Sequence, residues 1–289
     1  ESSSYSGGSW SAGGDLPQPH TRRGGTGVQD AAVVYGTSAA TSSANYDGAA
    51  WSVSAPLILS RVEMSSAGSQ NAALAIGGYA TPFTPGMCTQ TEKYDGATWS
   101  EVADVITGRK NADGAGAQNA ALFIGGCDVA AGALSNKTEH YNGSSWSAGG
   151  ALIIARQVHV AAGEEFAALA IGGKVPSVTA TMEEYDGSVW STAATKNVAK
   201  GEGAGDGGVG GALFAGSGVS PYGQTEEYNG VSWIVGPVLI TGRQDLDSAS
   251  TNIGKSGKGL VFAGRTPGVT VATEEYTCSG VRGTLVVCA

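Results

Sequence analysis

The chain has 289 residues, of which 25 are acidic and 16 are basic, so its formal net charge is −9. Its largest basic cluster is Arg22-Arg23, which argues against nucleic acid as a partner because nucleic-acid binding needs a basic footprint. Its apolar runs are all far shorter than the roughly 18 residues of a membrane-spanning helix, so we expect no membrane insertion.

A phrase of the form Tyr-(Asp/Asn)-Gly-x-x-Trp recurs from one end of the chain to the other. It begins at Tyr46, Tyr94, Tyr141, Tyr185 and Tyr228, and a looser copy opens the chain at Tyr5. All six tryptophans belong to it, and their successive spacings are 41, 48, 47, 44 and 43 residues. A period of about 40 to 50 residues is typical of supersecondary units that bury their apolar faces against one another.

Each repeat predicts four short strands. The first is rich in Gly, Ala and Ser, as in 114–117, which suits a strand in a crowded place near an axis. The second is an apolar run that ends in glycine, as in 73–78, 121–126 and 168–173, and such runs fit buried strands. The third carries the tyrosine, the Asp-Gly or Asn-Gly that follows is a hairpin signal, and the tryptophan opens the fourth.

A cation and a glutamate also recur in step with these strands. The cation lies ten residues after five of the tryptophans, at Arg61, Arg109, Arg156, Lys200 and Arg243. The glutamate lies two residues before the third-strand tyrosine, at Glu92, Glu139, Glu183, Glu226 and Glu274. We expect these groups to pair across or between the repeats, since structural ion pairs are commoner than functional ones. The alternative is an anion-binding ring at a channel mouth.

The Gly-Gly at a strand end, the Tyr and Trp on the next two strands and the Arg after the Trp together resemble the kelch repeat. The resemblance covers almost the whole chain and implies a β-propeller whose blades each have four antiparallel strands. We therefore predict one all-β domain over residues 1–289 with six blades; the alternative is seven blades, one of them incomplete. The blade markers under this interpretation are Trp10, Trp51, Trp99, Trp146, Trp190, Trp233, Tyr46, Tyr94, Tyr141, Tyr185, Tyr228, Tyr276, Arg61, Arg109, Arg156 and Arg243.

The two ends of the chain are predicted to pair, because an unpaired end would leave the edge of a sheet exposed. The strand of Trp10 can pair with a seventh tyrosine strand at Tyr276. The apolar segment 284–287 can fill the same position, so one terminal strand is surplus. A surplus strand suits addition to another molecule.

The four cysteines suggest two candidate disulfides. Cys278 and Cys288 flank the last hairpin, while Cys88 and Cys127 lie in equivalent loops of neighbouring repeats. Disulfides imply an oxidising, extracellular setting. The alternative is that the thiols are free.

The sequence predicts no catalytic residue, no cofactor site and no metal site. The histidines, His20, His140 and His159, do not assemble with Tyr and Cys into the copper site of a galactose-oxidase-like kelch enzyme, and we expect the side chain of His140 to be solvated. The segment 205–210 fits Gly-x-Gly-x-x-Gly but precedes a strand rather than the helix that a dinucleotide site needs. We therefore expect a protein that is not an enzyme.

The regular form of these repeats resembles kelch-type repeats in structural proteins of marine bacteriophages. That resemblance implies a virion decoration or tail-fibre propeller, outside the cell or on the virion surface. Its partners would be other protein subunits, in a virion or a homo-oligomer, or a host surface. The alternative is a secreted propeller that binds a glycan or a protein through loops such as 79–89 and 127–135, and a galactose-oxidase-like enzyme is the least favoured function. The absence of an initial Met is typical of a processed or partial product.

Overall fold

The computed structural model describes residues 8–18, 24–36, 41–80, 86–128, 133–249, 258–266 and 268–277. Every regular element within these ranges is a β-strand. The strands form six four-stranded antiparallel sheets, one three-stranded sheet and three two-stranded sheets. Within the described residues no helix is long and apolar enough to cross a membrane.

The first half of the chain begins with β1 (Ser9–Ala12) and then forms sheets 1 to 3, counted along the chain. Sheet 1 contains β2 (Gly24–Val28), β3 (Ala31–Tyr35), β4 (Ser43–Tyr46) and β5 (Trp51–Ser54). A small sheet contains β6 (Arg61–Val62), β9 (Tyr79–Ala80) and β10 (Gly86–Met87). Sheet 2 contains β7 (Ser65–Ser69), β8 (Ala72–Ile76), β11 (Thr91–Tyr94) and β12 (Trp99–Val102). Sheet 3 contains β13 (Asp113–Ala117), β14 (Ala120–Ile124), β17 (Thr138–Tyr141) and β18 (Trp146–Ala148), with the hairpin β15 (Cys127–Asp128) and β16 (Ala133–Leu134).

The second half forms sheets 4 to 6. Sheet 4 contains β19 (Val160–Glu164), β20 (Ala167–Ile171), β23 (Met182–Tyr185) and β24 (Trp190–Ala193), with the hairpin β21 (Lys174–Val175) and β22 (Ser177–Val178). Sheet 5 contains β25 (Ala204–Gly208), β26 (Gly211–Ala215), β27 (Thr225–Tyr228) and β28 (Trp233–Val235). Sheet 6 contains β29 (Asp247–Ala249), β30 (Lys258–Phe262), β33 (Thr273–Thr277) and β1, with the hairpin β31 (Arg265–Thr266) and β32 (Gly268–Val269).

The six sheets are arranged around one axis. The first strand of each sheet contacts the first strand of the next, in the order β2, β7, β13, β19, β25 and β29, and β29 returns to contact β2. In sheets 1 to 5 the remaining strands follow outward in sequence order, and in sheet 6 β30 and β33 are followed by β1. This closed cycle of contacts between four-stranded antiparallel sheets makes the fold all-β and β-propeller-like.

The amino-terminal strand completes the last sheet. β1 pairs antiparallel with β33, with Trp10 opposite Tyr276 and Ser9 opposite Thr277. The outer strand of sheet 6 thus comes from the other end of the chain. The competing segment 284–287 and the pair Cys278 and Cys288 lie outside the described residues.

The predicted disulfide between Cys88 and Cys127 is wrong, because both are buried free thiols. Their backbones are tied to different segments: the Cys88 amide donates to Gly78 O at 2.9 Å and the Cys127 amide donates to Lys110 O at 2.9 Å. The Cys127 Sγ lies 3.7 Å from Lys110 O. Each thiol is therefore a small buried group within its own loop.

The predicted Asp-Gly and Asn-Gly hairpins join the third and fourth strands. In sheet 2 the Asp95 carboxylate accepts from the amides of Ala97 at 2.9 Å and Thr98 at 2.7 Å, and these backbone hydrogen bonds hold the pKa of Asp95 below its ordinary value. The turn also needs a left-handed residue, which Gly96 supplies with a φ of 93°. Both residues of the Asp-Gly pair therefore stabilise the hairpin, the aspartate by its hydrogen bonds and the glycine by its left-handed backbone.

The glycine pair at the end of the second strand is only partly kept in sheet 6. In sheets 2 to 4 both residues of the pair have positive φ, as Gly77 and Gly78 do at 58° and 97°. In sheet 6 the equivalent residues are Ala263 and Gly264, with φ of 57° and 93°. Alanine has a steric cost in this conformation, and the left-handed backbone at this position is not marked by a glycine in the sequence.

Tyrosine and tryptophan form the core between neighbouring sheets. Within sheet 2 the rings of Tyr94 and Trp99 stack with centroids 4.9 Å apart. The Trp99 Nε1 donates at 3.0 Å to Ala55 O, on the chain that leaves sheet 1, and the Trp146 Nε1 donates at 3.0 Å to Ala103 O, beyond sheet 2. Each tryptophan therefore packs in its own sheet and donates to the preceding one.

We predict that Trp146→Ala lowers the free energy of unfolding by about 3–5 kcal/mol, because it empties a buried site and leaves Ala103 O without its donor. Urea denaturation monitored by circular dichroism measures this. Phe166→Ala is the matched control, since that aromatic ring is 64% exposed and its removal should cost less than about 1 kcal/mol. Equal losses in the two variants would contradict the packing role.

Candidate functional site

The two ends of the sheets form two chemically different faces. The arginine face is defined by the connections from the fourth strand of one sheet to the first strand of the next, which include Arg61, Arg109, Arg156, Lys200 and Arg243. The turn face is defined by the opposite strand ends, where the Asp-Gly and Asn-Gly turns lie. A central channel runs between the faces and is lined by the first strands.

A buried ion pair anchors each of four connections on the arginine face. In sheet 3 the Arg109 Nη2 lies 3.0 Å from the Glu139 Oε1. The same guanidinium donates to Gly125 O at 2.5 Å and to Lys137 O at 2.9 Å. The corresponding pairs and their N–O distances are Arg61–Glu92 at 3.1 Å, Arg156–Glu183 at 2.5 Å and Arg243–Glu274 at 2.6 Å.

The glutamate also binds the backbone of the connection. The Glu139 Oε2 accepts from the Ile106 amide at 2.7 Å, and its Oε1 accepts from the Thr107 amide at 3.2 Å. Burial lowers the pKa of the Arg109 guanidinium from its ordinary value, and Glu139 opposes that shift. An arginine with such partners stays charged, so these cations hold the chain in place and are not free to bind an external anion.

The fifth repeat differs from the arrangement that we expected. Lys200 stands at the sequence position of the arginines, but its Nζ donates to Pro221 O at 2.6 Å. The nearer cation to Glu226 is Lys196, whose Nζ lies 3.6 Å from the carboxylate and 3.3 Å from the ring centroid of Phe214. Burial lowers the pKa of Lys196 to about 8. A lysine lacks the forked guanidinium and cannot reach carboxylate and carbonyls together. Lys196 therefore lies near the carboxylate, and Lys200 binds a backbone carbonyl.

Sheet 1 lacks the pair. Ala44 occupies the position that glutamate holds in the other sheets, and it is buried. The equivalent cation position, His20, lies outside the described residues. Sheet 1 therefore offers no carboxylate at the position where Glu92, Glu139, Glu183, Glu226 and Glu274 bind the amides of a connection.

We predict that Glu139→Gln lowers the free energy of unfolding by about 3–5 kcal/mol, because it leaves the buried Arg109 guanidinium without its carboxylate. Arg109→Met combined with Glu139→Gln should cost less than the sum of the two single changes, and guanidinium denaturation of all three variants measures the coupling.

The control for this prediction is Asp128→Asn. Asp128 pairs at 3.4 Å with Lys137, which is 49% exposed, and such a pair contributes at most about 1 kcal/mol. Additive losses in the double variant, or a loss for Glu139→Gln as small as that of the control, would show that the buried pair does not stabilise the fold.

A ring of left-handed residues surrounds the channel mouth at the arginine face. Each lies two positions after the cation, and their φ angles fall between 46° and 60° at Glu63, Asn111, Val158, Glu202 and Asp245. Their backbones form a chain of hydrogen bonds, since from Asn111 onward the amide of each donates to the carbonyl oxygen of the one before at 2.8–3.1 Å. These residues share no chemical type, so sequence reasoning missed the ring; only their fixed distance from the cation could have indicated it.

Cations balance the carboxylates of this mouth. Lys110 Nζ lies 2.9 Å from Glu63 Oε2, and Arg265 Nε lies 2.7 Å from Asp245 Oδ2. Glu202 pairs with Lys174. Each of these cations comes from a neighbouring loop, so the mouth carries charges of both signs in contact.

Small residues and interstrand hydrogen bonds fill the channel. A cavity of about 150 Å³ remains between the first strands. A Cβ at Gly114 would lie 2.3 Å from Ser66 O of the preceding sheet, which is why this strand needs residues without bulk. Asp113 joins sheets 3 and 4, since its Oδ2 accepts from the Ala161 amide at 2.7 Å; burial raises its pKa to about 7 against the effect of these hydrogen bonds.

A larger cavity of about 500 Å³ opens at the turn face. It is lined largely by glycines and alanines, with the side chains of Gln118, Asn119, Glu164, Glu165 and the exposed ring of Phe166 among them. Beside it, our expectation for His140 was wrong. The His140 Nε2 lies 2.8 Å from the Tyr185 hydroxyl and its Nδ1 lies 3.1 Å from Glu165 Oε1, so the ring bridges two sheets.

His159 is a buried histidine whose two ring nitrogens have no hydrogen-bond partner. It lies against Gly173 as Met64 lies against Gly78 in sheet 2, so it occupies an apolar packing position. Burial, and then the nearby Arg156 and Arg109, lower its pKa to about 3 from an ordinary value of 6.5. The neutral ring is therefore the form that the fold accommodates.

We predict that His159→Met raises stability at pH 5 by about 2 kcal/mol more than at pH 8. The unfolded chain binds the histidine proton below pH 6.5 while the folded chain does so only near pH 3, so the native histidine loses stability as the pH falls through this window. Thermal denaturation at both pH values measures the difference.

Met64→Leu is the control, because it changes the equivalent packing position without a titratable group. Its effect should be the same at both pH values. A pH-independent effect of His159→Met would contradict the assignment of a neutral, buried ring.

An exposed isoleucine recurs on the arginine face. The residue seven positions after the tryptophan is exposed by 54% at Ile58, 61% at Ile106, 57% at Ile153 and 61% at Ile240. We call these four side chains the isoleucine annulus. The residue just before each is buried: Leu57, Val105, Leu152 and Leu239. Each connection therefore places one apolar side chain inward and the next one outward.

The acidic excess of the chain falls mainly on the turn face. Its turns carry Asp47, Asp95 and Asp186, and its third strands carry Glu184, Glu227 and Glu275. Lys93 and Lys258 are the cations among its described residues. On the arginine face, in contrast, most carboxylates lie in the ion pairs described above.

Within the described residues no group of three or more His, Cys, Asp and Glu side chains is placed to hold a metal ion. No protein-family model matches the chain, and no curated protein matches it. Solved structures do match it, with 293 chains in all. One is the structure of YjhT, which superposes with a TM-score of 0.77 at 15% sequence identity over 93% of this chain and 97% of that chain. The similarity shows a shared fold over nearly the whole length of both.

Proposed function

We propose that the chain is a six-bladed kelch-type β-propeller that acts as a structural or attachment protein rather than an enzyme. Its setting would be a bacteriophage virion, as a decoration or tail-fibre component on the outer surface. The blade number is supported by six four-stranded sheets in a closed cycle of contacts. The kelch assignment is supported by the repeated Gly-Gly, Tyr, Trp and Arg positions.

The isoleucine annulus is the observation that carries this proposal. The repeated Trp, Tyr, Arg and Glu side chains are buried in contacts that join the sheets to one another. The repeated feature that remains at the surface is apolar, and it lies on one face. Exposed apolar groups arranged together and surrounded by polar ones are typical of a protein–protein contact surface.

A secreted glycan-binding propeller is the second candidate. The cavity of about 500 Å³ on the turn face favours it, because Phe166 is 64% exposed and Asn119 and Glu164 line the same cavity with amide and carboxylate groups. An aromatic face beside hydrogen-bonding groups suits a sugar ring. A galactose-oxidase-like enzyme is less favoured, since His140 and His159 lie in contacts that join sheets 3 and 4.

We expect gold-labelled antibodies against the protein to decorate particles purified from the medium of its source, with the label on the particle surface in electron micrographs. Particles assembled with an Ile106→Asp and Ile153→Asp double variant should carry much less label, whereas Val231→Asp should leave the label unchanged because Val231 is 79% exposed but lies in a turn of the opposite face.

Label confined to cells, or equal labelling with the double variant, would contradict the attachment function. A glycan array distinguishes the second candidate function from the first. Selective glycan binding that Phe166→Ala abolishes would favour the glycan-binding propeller.

A further inference from the structure

We propose that the arginine face is a self-association surface, on which two copies of this chain pack face to face through their isoleucine annuli. This inference rests on the proposed function and names the partner that the isoleucine annulus contacts there, since the protein would attach to the particle as a face-to-face pair of copies. The partner is a second copy of the same chain, and the two-fold axis lies across the channel direction.

The connection does not need isoleucine for its own structure. The backbone amide of Ile106 donates to Glu139 at 2.7 Å, and the amide of Asn197 donates in the same way to Glu226 at 2.7 Å in the fifth repeat. Asn197 is exposed and polar, yet the connection keeps its shape. The amide–glutamate bond of the connection therefore does not require isoleucine, and the four exposed apolar side chains are open to another role.

Three of the isoleucines occupy consecutive connections. Ile58, Ile106 and Ile153 precede sheets 2, 3 and 4, so they follow one another in an arc on one side of the channel mouth. Ile240 lies beyond the gap at Asn197, and the 65% exposed Val238 lies two residues before it. Across a two-fold axis, an arc of this kind can meet the same arc of another copy.

The charges on the two faces select this face for a second copy. A two-fold contact brings each group near its own equivalents, so a face with unbalanced charge repels itself. The turn face is acidic and would do so. The arginine face has its carboxylates matched by cations, and the exposed pair of Lys137 and Asp128, 3.4 Å apart, can exchange partners between copies.

The size of the interface sets a further requirement. A stable dimer buries about 800 Å² on each copy, which is more than four partly exposed isoleucine side chains supply. The hairpin β21–β22, which lies on the same face, would therefore take part at the rim. The arrangement is an apolar arc with a polar border, as in other stable interfaces.

Sedimentation equilibrium of the full chain over a range of concentrations tests the proposal. The expected mass is twice that of the 28.8 kDa chain. Combining Ile106→Asp with Ile153→Asp should raise the dimer dissociation constant by at least roughly 30-fold, the effect of losing one strong interface residue. Val53→Asp combined with Val231→Asp is the matched control, because these side chains are 74% and 79% exposed and lie off the annulus; that variant should remain dimeric.

A second variant guards against loss of folding. Ile106→Asn combined with Ile153→Asn introduces the residue that the chain already carries at Asn197, and its circular dichroism spectrum should match that of the unaltered protein while the dimer weakens. A monomeric unaltered protein at every concentration, or folded variants that dimerise as it does, would overturn the proposal. Surface labelling of particles by a protein that is monomeric in solution would leave the proposed function standing and remove this inference alone.

Discussion

The buried arginine–glutamate pair, present on four of the connections, is the interaction on which the rest of the arginine face depends. The guanidinium of Arg109 joins backbone carbonyls and the Glu139 carboxylate at one point, and that carboxylate accepts two amides from the incoming chain. The pair is enclosed on all sides, with the arginine side chain fully buried. Since a half-formed buried pair is strongly unfavourable, the chain has one well-defined path from each sheet to the next.

The fixed path explains the two features that lie on either side of it. Three residues before the arginine, the chain must turn outward while its amide binds the glutamate, and this places Ile106 at the surface. Two residues after the arginine, the chain must enter the channel mouth in a left-handed conformation, as Asn111 does. The surface proposed for assembly and the ring around the channel are thus both set by the position of one cation.

Much of this could be predicted from the sequence because the repeat marks the same roles six times. The order of strands, the hairpin turns and the residues of the arginine and glutamate positions follow from short local patterns. The exchange of roles between Lys200 and Lys196 could not be predicted. It depends on the packing of the Lys196 amine between the Phe214 ring and the Glu226 carboxylate, which the sequence does not show. The free thiol of Cys127 and the bridging role of His140 were also missed, since both depend on contacts between loops and sheets that a linear pattern does not contain.

The most direct test of the ion pair as the organising contact is amide hydrogen exchange at single-residue resolution, comparing the unaltered protein with Glu139→Gln. The amides of Ile106 and Thr107 bind the glutamate, so they should be protected in the unaltered protein and exchange much faster in the variant. The amides of Ile153 and Ile154, which bind Glu183, should keep their protection. Rapid exchange of Ile106 in the unaltered protein, or equal loss of protection at both connections, would contradict the account.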